Sequence, residues 1–225
     1  YGWFERMYSV WSAKYAVREL WKVIVPSESV KQDLIFNFQF SIFNCCVVKH
    51  GYDERYGNCA EINEEILQKF NIKKPYLLSI GRLEEKKNTV RIIEAFEKIR
   101  LQDAGCRLQL VLVGSDGYGY EKVKEAIDSS QFKQDVITPG WVSGEDLPAL
   151  MRGASVFVFP SLAEGFGMPI LEAMAAGVPV VASKGGAFEE VGGDACVYVD
   201  PMSVDEIAEA VIRMQNAECR MQNVE

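Results

Sequence analysis

Two carboxylates flank a glycine-rich bend in residues 161–179, which read Ser-Leu-Ala-Glu-Gly-Phe-Gly-Met-Pro-Ile-Leu-Glu-Ala-Met-Ala-Ala-Gly-Val-Pro. Glu164 precedes the bend and Glu172 lies in the helix expected after it. Glycine lets main-chain N–H groups approach a ligand where a Cβ would clash. Gly165 and Gly167 therefore suit the amide-lined start of a helix, which favours an anion. Pro169 near the helix start and Gly177 past its end match the usual asymmetry of helix termini. An acid pair beside a phosphate cradle fits a ligand carrying both phosphate and hydroxyl groups, such as a nucleotide sugar. The plainer reading is a tight strand-to-helix turn, and Gly-Phe-Gly alone would not exceed it. Both glutamates, the proline and the small-residue helix together favour the chemical one.

A second segment supplies cations. Ser79-Ile-Gly-Arg-Leu-Glu-Glu-Lys-Lys-Asn88 follows an apolar strand-like run. Loops after the carboxyl ends of strands line the ligand crevice of a doubly wound sheet. Arg82 and Lys87 are thus expected at the same crevice as the Gly165–Gly167 bend. Loss of a diphosphate builds negative charge that two cations neutralise, Arg with forked donors and Lys as a point charge. A solvated basic loop is the alternative.

These residues carry a family resemblance. The bend is similar to the Glu-x7-Glu signature of retaining, nucleotide-sugar-dependent glycosyltransferases of family 4, which have the glycosyltransferase-B fold. The cationic segment resembles that family's Gly-Arg-Leu-x-x-x-Lys-Asn motif. The resemblance covers residues 22–214, most strongly 78–88 and 156–182. It implies transfer of a hexose from a nucleotide-diphosphate sugar to a carbohydrate or lipid-linked acceptor, with retention of configuration. It implies that Arg82, Lys87 and Glu164 act at the reacting diphosphate and sugar. Donor contacts are implied at Gly81, Gly114, Val142, Gly165, Phe166, Gly167 and Glu172, with Glu172 on the ribose diol. A vicinal diol suits a carboxylate because each hydroxyl donates to one oxygen. No cofactor beyond the donor, and no metal, is implied.

Other matches are looser. Gly114-Ser-Asp-Gly-Tyr-Gly119 either lines the crevice or is a plain turn. Trp141-Val142 stands where the family packs the nucleotide base, and Trp141 would serve equally as core. Glu189-Glu190-Val191-Gly192 resembles Pro-Glu-x-x-Gly, with Phe188 where proline is usual. Val47-Val-Lys-His-Gly-Tyr-Asp53 is similar to the hinge between the family's two halves. Residues 1–52 are then the tail of an N-terminal acceptor-side domain and the hinge, and 53–225 the nucleotide-sugar-binding domain. The chain starts at Tyr1, not Met, and is expected to be a piece of a longer protein whose N-terminal domain is its partner.

Competing chemistries fail on motifs. No Gly-x-Gly-x-x-Gly precedes a suitably placed acid, so a dinucleotide dehydrogenase is disfavoured. Gly114 and Gly119 have P-loop spacing, but Tyr120-Glu121 follow where Lys-Ser/Thr is needed. No Gly-x-Ser-x-Gly elbow occurs. A sugar-nucleotide epimerase of the same fold relies on other acid/base residues. His50, the only histidine, lies in the hinge and is not assigned as a base. The six cysteines form no Cys-x-x-Cys, which disfavours zinc and suits reduced thiols in the cytoplasm.

The net charge of −8 is uneven. Residues 1–50 hold six Lys/Arg and four Asp/Glu, leaving 18 and 28 for the rest. An acidic body opposes a nucleic-acid binder. No run of about 18 apolar residues suggests a membrane span. Residues 1–50 also carry three of the four tryptophans. Trp3, Met7, Tyr8, Trp11 and Tyr15 follow helical spacing and are expected to pack on a neighbour. A peripheral contact with the inner face of a membrane is the lesser alternative.

From Pro75 onward, short apolar runs alternate with amphipathic segments. Strands are expected at 76–80, 108–113, 136–138, 156–159, 178–182 and 196–199. Helices are expected at 89–100, 120–129, 145–152, 169–176, 188–191 and 204–214, and one at 62–70 within a polar connection. That alternation predicts an α/β, Rossmann-like doubly wound parallel sheet, the C-terminal half of a glycosyltransferase-B fold with an N-terminal remnant. Asn88 is expected to cap the helix after it.

Overall fold

The computed structural model describes residues 3–38, 44–58, 63–102 and 107–222. Cys59, Cys106 and Ile62 lie outside them. The chain opens with helix α1 (Trp3–Glu19), then strand β1 (Val23–Val25), helix α2 (Glu28–Phe38) and strand β2 (Cys45–Val47). β1 and β2 pair in parallel as a sheet of their own. Val25 and Cys45 are buried there, against Val23, Val30, Leu34 and Val47. Burial pushes the Cys45 thiol up, so it stays protonated.

A 3₁₀ turn (Glu54–Tyr56) and helix α3 (Glu64–Lys69) lead to the main sheet. Its elements are β3 (Tyr76–Ile80), α4 (Thr89–Gln102), β4 (Gln109–Val113), α5 (Tyr120–Ser129), β5 (Val136–Gly140) and α6 (Leu147–Gly153). They continue as β6 (Val156–Phe159), α7 (Met168–Ala175), β7 (Val180–Ser183), α8 (Gly186–Gly192), β8 (Cys196–Val199) and α9 (Val204–Gln222). The six strands lie in the order β5-β4-β3-β6-β7-β8, all parallel. The chain winds outward from β3 and returns to place β6 at its other side. The order reverses between β3 and β6, where doubly wound sheets bind ligands.

Alternate strand residues feed opposite faces, as the two-residue period of a strand requires. Leu78, Val111, Phe157 and Val180 pack with Leu150 and Met151 of α6 and Ile170 and Ala173 of α7. Leu77, Leu110, Leu112 and Val158 pack with Ile93, Phe96 and Ile99 of α4 and Ile207 and Val211 of α9. Strands buried on both faces have to be continuously apolar, which is why they read as unbroken runs.

Two local expectations change, and one looser match gains a reason. α1 is helical, but its aromatic stripe is not packed away. Trp3, Tyr8, Trp11 and Tyr15 are all more than half exposed. Their rings meet each other instead, Trp11 stacking on Tyr15 at 5.8 Å. Spacing shows which side chains align, not what covers them. Asn88 does not cap α4 with its side chain. It adopts a left-handed φ of 62°. Its amide donates to the carbonyls of Pro160 (3.0 Å) and Pro201 (2.6 Å). Phe188 is an intimate part of the core, edge-on to Phe159 at 6.3 Å. No helix among the described residues is long and apolar enough to cross a membrane.

Candidate functional site

The loops after β3 and β6 meet at the point where the strand order reverses. Lys87, in the turn Glu85–Lys87 after β3, is ion-paired with Glu164, after β6. Both side chains are mostly buried. The ammonium also stands 5.0 Å from the centre of the Phe159 ring, whose electron-rich face favours a cation. Its methylene stem passes over Gly81, where a Cβ would come within 3.1 Å of Lys87 Cε. The main chains are joined as well, Leu162 N donating to Lys86 O at 2.9 Å. Asn88 ties the same loops through Pro160.

The β4 end closes the other flank. Gly114 has φ +147°, and any Cβ there would collide with the Gly81 carbonyl. Only glycine allows that approach. Leu83 and Asp116 form an isolated parallel bridge, with Leu83 N on Ser115 O (2.9 Å) and Gly117 N on Leu83 O (3.1 Å). Arg82 is exposed, and its guanidinium donates to Asp116 O at 3.4 Å. Thus Lys87 meets the Gly165 bend, while Arg82 contacts the loop after β4.

The bend itself is held from the N-terminal unit. Ser27, fully buried, donates to Gly165 O at 2.7 Å and accepts from Val30 N at 3.1 Å at the start of α2. Glu190 of α8 accepts from Glu28 N (2.8 Å) and lies 3.3 Å from the ammonium of Lys49. His50 sits edge-on to Phe166 at 5.2 Å. Gly167 takes φ +102° at the start of α7. Ser161 is fully buried at the end of β6, and its hydroxyl has no hydrogen-bond partner among the described residues.

Glu172 belongs to a different partner. The 3₁₀ turn that carries Tyr56 packs against α7, which carries Glu172. Burial pushes Glu172 above the usual carboxylate range, the Tyr56 hydroxyl opposes that, and the charge of Asp53 adds to it. Tyr56 is itself buried, and desolvation beside Glu172 drives its phenol far upward. The two glutamates therefore have different surroundings: Glu164 is paired with Lys87, and Glu172 lies partly buried on α7.

A family model described as glycosyl transferases group 1 matches residues 62–224. The chain belongs to the group 1 glycosyltransferases. The O-antigen chain mannosyltransferase B of Escherichia coli is 36% identical over 149 residues, 66% of this chain and 39% of that protein. The mannosylfructose-phosphate synthase of Agrobacterium fabrum is 29% identical over 195 residues, 82% of this chain and 43% of that protein. The chain thus spans less than half the length of these two relatives. A glycosyltransferase from Rickettsia africae superposes with a TM-score of 0.80 at 22% identity, covering 92% of this chain and 57% of that one. Anabaena HepE, solved with UDP-glucose, gives 0.77 at 22% identity over 90% of this chain and 56% of that one. These likenesses fix the fold as that of a glycosyltransferase-B half.

In this glycosyltransferase the expected donor residues fall into two groups. Gly81, Lys87, Glu164, Gly165, Gly167 and the Gly114 loop surround the β3–β6 reversal. Val142 and Phe166 are buried, so their side chains belong to the core. A ligand at those places would meet main chain, or Trp141, which is 74% exposed and not core. Sequence reasoning missed Ser27 and Tyr56, and named Glu190 only within a loose motif match. Nothing in the spacing of residues 22–30 points to Ser27 as a tie to the Gly165 bend, and Tyr56 lies in the polar connection before β3.

Proposed function

We propose that this glycosyltransferase chain is the donor-binding part of a retaining hexosyltransferase that uses a nucleotide-diphosphate sugar. The observation that carries the reading is the meeting of Lys87 and Glu164 at the strand reversal. A cation and a carboxylate side by side suit a ligand with a diphosphate next to a sugar. On donor binding the Lys87 ammonium turns to the diphosphate, and Arg82 and the Gly165–Gly167 amides share its charge. Glu164 is then free to accept hydrogen bonds from sugar hydroxyls, and Glu172 from the ribose.

The acceptor oxygen bonds to the anomeric carbon on the face from which the diphosphate leaves. The bond to the diphosphate oxygen breaks with its electron pair, and that diphosphate takes the acceptor proton. The chain contributes positioning and charge stabilisation. HepE, of the same fold, is solved with UDP-glucose, which supports a nucleotide sugar here.

Turnover is a separate matter. The chain covers less than half of its two named relatives, which favours a second reading: it binds the donor without transferring sugar alone. Calorimetry tests both. Arg82→Ala or Glu172→Ala is expected to lower affinity for a nucleoside diphosphate, and unchanged binding would overturn the donor site. Sugar transfer by the chain alone would overturn the second reading.

A further inference from the structure

We propose that Ser27 is a positioning residue of the donor site: by holding the Gly165 carbonyl it aims the Phe166 N–H of the glycine-rich bend at the donor diphosphate. The inference rests on the donor reading given above. Ser27 stands just before α2 and is fully buried. Its hydroxyl donates to Gly165 O at 2.7 Å. The same oxygen accepts from Val30 N at 3.1 Å. The peptide unit is planar, and in the trans form its N–H points opposite to its C=O. Gly165–Phe166 is trans, since the cis bond among the described residues is Lys74–Pro75. A Gly165 carbonyl tied to Ser27 therefore turns the Phe166 N–H away from α2. Glycines on both sides of Phe166 leave this unit easy to rotate, so its direction needs an outside tie.

The tie is itself anchored. Glu190 of α8 accepts from Glu28 N at 2.8 Å and from Ser29 N at 3.4 Å, which fixes the start of α2. α2 also packs against α8. A Cβ at Gly165 would stand 3.8 Å from Val30 Cγ2 and 3.9 Å from Pro26 Cγ, so the bend rests on the segment that carries Ser27. Capping α2 does not by itself account for the hydroxyl. A cap needs only an acceptor, which Asn or Asp supplies as well. The proton of a buried hydroxyl needs an acceptor of its own, or stability is lost. Its acceptor lies in the bend, 138 residues further along the chain.

The test measures binding of UDP, UMP, GDP and GMP to the 225-residue chain by calorimetry, with amide exchange of the UDP-saturated chain beside it. A merely structural role would weaken monophosphate and diphosphate alike. Ser27→Ala is instead expected to lower affinity for the diphosphate about fivefold, the net worth of one hydrogen bond. Affinity for the monophosphate is expected to stay unchanged. UDP should protect the Phe166 amide from exchange in the unsubstituted chain, and that protection should fall in the variant. Should Ser27→Ala fail to fold, Ser27→Cys keeps a similar volume and a weaker S–H donor, and should lose part of the same diphosphate preference. Equal weakening of both nucleotides, an unchanged diphosphate preference in the variant that folds, or a Phe166 amide that UDP leaves unprotected would overturn the proposal. If the unsubstituted chain holds UDP and GDP no more tightly than UMP and GMP, the donor reading itself falls, and the role of Ser27 with it.

Discussion

Lys87 and Glu164 are ion-paired although 77 residues separate them in the chain. Under the proposed donor site, the diphosphate and sugar would lie at this pair, so ligand and carboxylate would compete for one ammonium. Lys87→Ala is expected to weaken nucleoside diphosphate binding about tenfold or more, the range of a charge-assisted hydrogen bond. Glu164→Gln releases the ammonium. It should strengthen binding of a nucleoside diphosphate, and strengthen binding of the matching nucleotide sugar less. Calorimetry on the four pairs checks this. A Glu164→Gln chain that binds the bare diphosphate more weakly would show that the pair does not compete.

Glu172 should cost stability at neutral pH. Its folded value lies above the ordinary carboxylate value because it is partly buried. The native state therefore binds the proton more tightly than the unfolded chain. Stability is greatest below the ordinary glutamate value and falls as pH rises through the folded value. Glu172→Gln removes the charge and keeps the size of the side chain. It is expected to melt higher than the unsubstituted chain at pH 7, with the gain fading towards pH 4. Thermal denaturation across that range decides it, and a gain that grows with acid would refute the burial argument.

Two site glycines should behave oppositely. At Gly114 a Cβ would strike the Gly81 carbonyl, and φ is +147°. Gly114→Ala is expected to destabilise by about 2 kcal/mol or more, through strain and displaced loops. At Gly165 an added Cβ meets only Val30 Cγ2 at 3.8 Å and Pro26 Cγ at 3.9 Å. Gly165→Ala should stay within about 0.5 kcal/mol in stability, while binding of a nucleoside diphosphate weakens. Urea denaturation beside calorimetry separates the two.

The main sheet was legible because buried parallel strands leave continuous apolar runs, as Leu110–Val113 and Val156–Phe159 do. The two loops could be placed at one edge from topology alone. Side-chain partners could not. Tyr56 enters the core from a 3₁₀ turn too short for any periodicity. Ser27 reaches Gly165 across 138 residues, which no spacing rule connects. Phe188 replaced an expected proline and proved to be core packing against Phe159. Asn88 had the residue type of a helix cap, yet its left-handed backbone turned the amide towards two carbonyls.

Asn88 gives the sharpest structural test, since it staples three segments. Its amide serves Pro160 after β6 and Pro201 after β8, and its Oδ1 accepts from Arg91 Nη1 at 2.9 Å. Asn88→Ala removes both donors from a buried position and leaves those carbonyls unsatisfied. A loss of about 2–3 kcal/mol is expected from the desolvation of unpaired groups. Asn88→Asp is expected to be worse. It keeps the acceptor for Arg91 but faces two carbonyl oxygens with an anion that has no proton to donate. Asn88→Gly relieves the left-handed φ, so it should cost less than alanine by about 1 kcal/mol. Because the Pro160 link sets the loop that carries Glu164, nucleotide-sugar affinity should fall in the same order. Urea titrations ranking the variants glycine, alanine, aspartate from mildest to most severe would support the staple. An aspartate variant as stable as the unsubstituted chain would remove it.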